Sequence, residues 1–260
     1  MTWQDGVWEE AARADRSAPV SLRLVTWNVY FGGHMFEERG RGLLAELGRR
    51  RPDVAVLQEV TPELLDRIAR ARWVRDAYQL SDVDGRTIGD YGVLVLSRLP
   101  IRKLSVHELP TAMGRRLVIA ELGCGLTIAT VHLESLDEAD ARTAQLAIVQ
   151  RALRDAGDAV VAGDLNFAPG AVEETAIEPG WLDAWPALRG AEPGYTVDTD
   201  RNAMRAQLKS TVTHKRIDRV LVRSTRWRAT AIDLIGTAAI DVDETFVSDH
   251  FGLETALTAV

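Results

Sequence analysis

Val54-Ala55-Val56-Leu57 is an unbroken apolar run that stops abruptly at Gln58-Glu59. Bounded by Asp53 and Thr61-Pro62, it is too short for a helix and suits a strand buried on both faces. Val160-Val161-Ala162-Gly163-Asp164-Leu165-Asn166 repeats the design. A strand that is apolar along its length and polar at its carboxyl end belongs in a covered sheet, with the polar end at the rim.

Around these runs, strand patterns alternate with helix patterns from residue 21 onward. Strands are predicted at Leu22–Val29, Asp53–Glu59, Gly92–Ser97, Ile101–Leu109, Arg116–Leu122, Leu126–Leu133, Ala159–Ala162, Ile217–Val222 and Gly252–Thr258. Leu43, Leu44 and Leu47 predict a helix over Gly42–Arg50, and Leu146, Val149 and Leu153 a long one from Glu138 to Asp155. Thr61 reads as an N-cap with Pro62 at the first helical position. Residues 168–210, rich in Gly, Pro, Asp and Trp, read as surface loops with short helices, a setting for substrate contacts. The expectation is an α/β domain over 21–260. Residues 1–20 stand apart: Trp3, Val7, Trp8 and Ala11 recur at helical spacing, and Ser17-Ala18-Pro19 reads as a linker.

Charge and cysteine content narrow the function classes. Lys and Arg total 31 against 38 Asp and Glu, a formal charge of −7, so bulk charge offers nucleic acid no help. One cysteine, Cys124, excludes an intramolecular disulfide and a cysteine-rich zinc site, and it reads as structural. No apolar run reaches the roughly 18 residues of a membrane span, and no secretory signal is visible, which makes the cytoplasm the expected compartment.

The polar strand ends are Asn28, Glu59, His132, Asp164 with Asn166, and Asp249 with His250. Singly, each reads as a cap or a hydrogen-bonded structural residue. Collected on one rim they read as a site. Oxygen donors from Asn28, Glu59 and Asp249, without cysteine, suit Mg²⁺, with Mn²⁺ as the alternative, better than Zn²⁺. Glu59, Asp164, Asp218 and Asp249 in one cleft would repel one another unless a cation intervened. His34, His107 and His214 read as loop or edge residues and not as ligands. Trp73 and Trp227 read as packing.

Thr26-Trp27-Asn28, Leu57-Gln58-Glu59-Val60, His132-Leu133-Glu134-Ser135, Gly163-Asp164-Leu165-Asn166 and Ser248-Asp249-His250 together resemble the endonuclease/exonuclease/phosphatase superfamily. Arg216-Ile217-Asp218-Arg219 adds the Asp that supports the catalytic His in that superfamily. Trp181–Trp185 and Tyr195-Thr196 make the chain most similar to the type-2 tyrosyl-DNA phosphodiesterase branch. The resemblance implies two facing mixed β-sheets flanked by helices, in four layers. It also implies a metal-dependent phosphoesterase that cleaves a phosphodiester, with DNA or RNA ends as the expected partner. Metal would sit on Glu59, Asn28 and Asp249, and catalysis on Asp164, His250, Asn166, His132 and Asp218. Ser135, Tyr195 and Arg216 would meet substrate. Asp164 or His250 would be the base.

The chain departs from that branch at Tyr30, Asp137, Val197 and Phe167-Ala168, where the branch carries an acidic residue, an Arg, an aromatic and a basic pair. Fewer phosphate contacts follow. A phosphatase or phosphodiesterase acting on a small metabolite is therefore the alternative reading, and a binding module without catalysis the third.

Overall fold

The computed structural model describes residues 1–10 and 19–260. Two six-stranded mixed sheets face each other. The first runs, edge to edge, through Trp227–Ile235, Gly252–Ala259, Ser21–Asn28, Val54–Val60, Gly92–Ser97 and Gln79–Leu80. The second runs through Leu182–Asp183, Asp218–Arg223, Ala159–Asp164, Thr127–His132, Arg116–Leu122 and Ile101–Glu108. Each sheet has a single parallel pair near its middle, Ser21–Asn28 with Val54–Val60 and Thr127–His132 with Ala159–Asp164. All other neighbours are antiparallel.

Side-chain alternation builds the layers. Leu22, Leu24, Val54, Val56, Val93 and Val95 meet Val118, Ala120, Ile128, Val160, Ala162, Val220 and Val222 between the sheets. The other faces are covered by helices. Val25, Trp27, Ala55 and Leu57 pack on Phe36–Arg50 and Pro62–Arg70, while Ala129, Val131 and Val161 pack on Ala139–Ala152. Helix, sheet, sheet, helix is the four-layer order that the resemblance implies. Thr61 caps as expected, its hydroxyl accepting from Leu64 N at 3.3 Å, with Pro62 at the first turn. Trp227 is buried between the sheets, and Trp73 packs edge-on to Tyr78.

Two regions differ from expectation. Thr2–Gln4 and Val7–Glu9 form an antiparallel hairpin, not a helix. Asp5 and Gly6, with φ of 49° and 89°, make the two-residue turn that Asp-Gly favours, and local turn chemistry overrides the helical spacing. Trp3 and Trp8 meet edge-on across it. Ala11 and most of the Ser17–Pro19 linker lie outside the described residues. Trp227–Ile235 is an additional edge strand whose Thr and Ala content masks its alternation.

Candidate active site

One topological rule gathers the site. Strands of the parallel pairs finish at the same rim, and each antiparallel neighbour starts there. Asn28, Glu59, His132 and Asp164 therefore arrive at strand ends, whereas Asp218 and the Asp249-His250 step arrive at strand starts. Inward alternation then aims the side chains. Leu22-Leu24-Thr26-Asn28, Ile128-Thr130-His132 and Val160-Ala162-Asp164 each turn from apolar to polar on the face between the sheets. Gly163 allows the close parallel pairing, since a Cβ there would lie 2.1 Å from the Val131 carbonyl.

Glu59 needs an extra device. Following inward Gln58, it would point outward in a regular strand. A register shift between Leu57 and Val60, with Glu59 in the left-handed region (φ 63°), turns it back to the cleft. Such backbone costs about 1–3 kcal/mol and is held by contacts. Glu59 Oε1 accepts from Asn28 Nδ2 at 3.0 Å, and Oε2 from Phe31 N at 2.9 Å.

Asp164 is the centre. Its Oδ2 accepts from Asn28 Nδ2 at 3.0 Å and lies 3.5 Å from His132 Nε2 and 3.9 Å from His250 Nδ1. Burial, then the nearby Asp218 charge, push its carboxyl up to about 7, against the opposing pull of His250 and Asn28. Glu59 is also raised, by burial first and Asp249 second, while hydrogen bonds from Phe31 and Asn28 oppose the rise. Burial alone would lower His250. Asp218 outweighs it through charge and a 2.9 Å hydrogen bond, and with Asp249 and Asp164 holds the ring up to about 10. His250 is thus an imidazolium at neutral pH. His132 is the opposite case, driven well below the usual range by burial and by the Arg115 charge. Its Nδ1 accepts from Arg115 Nη1 at 2.9 Å, so neutral His132 carries its proton on Nε2, facing Asp164 and Glu59.

The Ser248–His250 loop is pinned to the first sheet. Ser248 Oγ donates to the Asn28 carbonyl at 2.6 Å, and Trp27 Nε1 to the His250 carbonyl at 3.0 Å. Asp249 is ion-paired to Arg205.

Several expected residues sit differently. Asn28 turns its amide donors to the carboxylates and accepts at Oδ1 from Tyr30 N at 3.0 Å, so in this arrangement it organises the acids. Asn166 donates to the Leu133 carbonyl at 2.9 Å and to Ser135 Oγ at 3.2 Å. Arg216 does not reach the cleft. Its neighbours Lys215 and Ile217 line it, and alternation sends Arg216 the other way, to Asp183 Oδ2 at 2.7 Å. Tyr195, just ahead of the short strand whose Val197 reaches the cleft, lies against His214 in a separate depression. His214 itself sits 3.0 Å from Asp200 and 3.6 Å from Asp198.

The cleft above Asp164 encloses about 920 Å³. Tyr30, Phe31 and Tyr91 form one wall, with Phe31 and Tyr91 stacked at 4.4 Å and 9°. Arg205, Lys209 and Lys215 contribute cations from the segment between Val197 and Lys215. Sequence reading missed Tyr91 and Arg115. Both immediately precede strands that start at this rim, Gly92–Ser97 and Arg116–Leu122, and that position is the signal that would have found them. Arg115 also donates to Ser135 Oγ at 2.8 Å. Its loop is held by Glu134, which accepts from Thr111 Oγ1 at 2.5 Å and Ala112 N at 3.0 Å.

Comparisons with known proteins agree with this geometry. The chain is 31% identical over 247 residues to tyrosyl-DNA phosphodiesterase 2 of Danio rerio, covering 89% of this chain and 65% of that protein. It is 29% identical over 248 residues to the Homo sapiens protein of the same name, covering 88% and 66%. The chain thus spans about two thirds of the length of the curated relatives it matches. The crystal structure of D. rerio TDP2 complexed with single-strand DNA product superposes with a TM-score of 0.80 at 26% identity, covering 92% of this chain and all of that one. Truncated Caenorhabditis elegans TDP2, at 23% identity and a TM-score of 0.77 over 92% of this chain and 98% of that one, shares the fold. Residues 25–250, nearly the whole span from the first functional strand to His250, match the description Endonuclease/Exonuclease/phosphatase family, and the chain belongs to that family.

Proposed function

We propose that the chain is a Mg²⁺-dependent phosphodiesterase that hydrolyses phosphodiesters at DNA ends. The observation that carries this is the placement of Asp164, a buried carboxylate with Oδ2 3.5 Å from His132 Nε2 and 3.9 Å from His250 Nδ1. Burial and the nearby Asp218 charge push it up to about 7. Near neutral pH such a group can take a proton from water. His250, held as an imidazolium, is no base and instead stabilises negative charge on a phosphate.

The donor set fits a hard cation. Glu59 and Asp164 are both pushed toward protonation by burial and neighbouring acids, a repulsion that a bound cation would relieve. Glu59 and Asp249 would hold the ion, with Asn28 fixing Glu59 against Asp164. When bound, Mg²⁺ supplies polarisation of a phosphate oxygen and charge neutralisation at the leaving oxygen. Asp164 orients and deprotonates water for in-line attack. His132 donates from Nε2–H. Ser135 Oγ accepts from Arg115 and Asn166, so its own proton is available to a phosphate oxygen.

DNA ends are preferred over small esters for two reasons. The relatives are named for tyrosyl-DNA phosphodiester cleavage, and one was crystallised with a single-strand DNA product. In this chain the cleft pairs an aromatic wall with Arg205, Lys209 and Lys215, which suits bases and a short phosphate track. A reducing cytoplasmic setting is in keeping with the single buried free thiol, Cys124. No helix among the described residues is long and apolar enough to cross a membrane.

The test is hydrolysis of a 5′-phosphotyrosyl oligonucleotide, an unmodified oligonucleotide and small phosphate esters, with Mg²⁺ and with EDTA. Mg²⁺-dependent release of tyrosine, lost in Asp164→Asn and His250→Ala, is expected. Turnover of the small esters alone would transfer the assignment to a metabolite phosphoesterase.

A further inference from the structure

The reacting groups are divided between two sheets. Asn28 and Glu59 come from the first, His132, Asp164 and Asp218 from the second. Most of the contact between the sheets is aliphatic, and aliphatic packing is non-directional. It fills the layer without setting the separation of opposite side chains to a fraction of an ångström.

Directly beneath the carboxylates the inward ladder stays polar: Gln58 stands opposite Asn28 in register, and Thr26 and Thr130 lie one inward step below Asn28 and His132. Thr26, Gln58 and Thr130 are each fully buried. Gln58 Nε2 donates across the layer to Thr130 Oγ1 at 3.1 Å and within its own strand to the Val56 carbonyl at 3.2 Å. Its Oε1 accepts from Thr26 Oγ1 at 3.3 Å. Both amide hydrogens and the amide oxygen are therefore used. Burial does not require this arrangement, because an aliphatic side chain of similar volume would fill the space at comparable stability. What the amide adds is direction. It ties Val54–Val60 to Thr127–His132 one step below Glu59 and His132, whose Oε1 and Nε2 stand 3.9 Å apart.

We infer that Gln58, acting with Thr26 and Thr130, is a positioning residue for the hydrolytic site: its bridge between the sheets sets the spacing of Glu59 against His132 and Asp164. The neighbouring inter-sheet bond, Asn28 to Asp164, is also buried, but it is made by a side chain that lines the cleft and takes part in the reaction. The Gln58 bridge lies outside the cleft lining and holds the spacing with or without substrate. This rests on the hydrolytic reading given above.

Three variants test it: Thr130→Ser, Thr130→Val, and the triple Thr26→Val/Gln58→Leu/Thr130→Val, which leaves no polar group stranded. Turnover of a phosphotyrosyl oligonucleotide, Mn²⁺ affinity by calorimetry and thermal midpoint are measured on each. Thr130→Ser keeps the acceptor and should hold kcat within about twofold, whereas Thr130→Val and the triple should lose about tenfold in kcat with KM nearly unchanged. Mn²⁺ affinity should fall several-fold in the last two and not in the first. The triple variant should melt near wild type, which separates positioning from stability. A triple variant that keeps wild-type kcat and Mn²⁺ affinity would show the bridge to be packing and overturn the inference. If wild type turns over none of the DNA substrates, the proposed function fails separately, and the Mn²⁺ affinities of the same series still decide the role of Gln58.

Discussion

His250 Nδ1 donates to Asp218 Oδ2 at 2.9 Å in a pocket that both side chains share almost without solvent. This bond keeps a buried ring charged. Burial pulls it toward neutrality, and Asp218, aided by Asp249 and Asp164, carries it to about 10. Asp218→Asn keeps the shape and removes the charge. The ring should then lose its proton at lower pH, and the alkaline limb of the pH–rate profile should move toward neutrality. Stability shares the sign: a raised pKa stabilises fully below the ordinary value of about 6.5 and less as pH rises through 10. Wild type should lose that contribution across this window, and the variant should show a flatter slope. An alkaline limb that stays put would make the pair merely structural.

Asp164 gives the metal-linked test. Its carboxyl is raised to about 7, so the contribution to stability is complete below the ordinary 3.8 and is lost as pH climbs through 7. Without a divalent cation the protein should melt lower at pH 8 than at pH 6. Mg²⁺ should raise the midpoint more at pH 8, where the acids are ionised, than at pH 6. Equal gains at both values would speak against binding at this cluster. Glu59→Gln should cost on the order of 10³-fold in rate, and EDTA should silence wild type.

Arg115 presents a fork to His132 and Ser135 at 2.9 and 2.8 Å. A lysine cannot span both, so Arg115→Lys should lower kcat by roughly tenfold or more with the fold intact. Nitrogen NMR of the histidines should show His132 leaving its single Nε2–H tautomer. Retention of that tautomer at full activity would remove Arg115 from the mechanism. Glu134→Gln, which misplaces the Thr111–Arg115 loop, should reproduce the defect in weaker form.

Lys209 and Lys215 offer two cleft cations, and Arg205 a third while it also pairs with Asp249. For single-stranded DNA, two or three neutralised phosphates give a log–log salt slope of about −1.4 to −2. Binding of Asp164→Asn to an oligonucleotide across a salt series measures it. Lys209→Glu with Lys215→Glu should raise KM and flatten the slope while leaving kcat near wild type. A slope steeper than about −5 would require a basic track elsewhere on the surface.

Arg216 was expected at the substrate and is instead locked to Asp183, which also takes Arg219 at 2.9 Å and caps the Ala184–Arg189 helix. Arg216→Met should lower stability by on the order of 2 kcal/mol and leave kcat/KM unaffected. Chemical denaturation and steady-state kinetics of one preparation check both halves.

The strands and most of the rim were legible in the amino-acid sequence, because an apolar run with a polar end has few stable placements, while the four-layer order followed from the family resemblance. Burial dictates the run, and solvation or a partner dictates the end. Asn28, Glu59, His132, Asp164 and His250 were found that way, and Asp218 through its family motif. Three matters were decided only in three dimensions. The inward turn of Glu59 depends on a bulge set by pairing with Gly92–Ser97, which no local pattern announces. The roles of His132 and His250 depend on Arg115 and Asp218, each distant in sequence or on another strand, and the two imidazoles differ in charge although the residue type is the same. Arg216 and Tyr195 were misplaced because composition says a side chain can bind phosphate or stack on a base, while the alternation of a strand and the position of a turn decide which way it points.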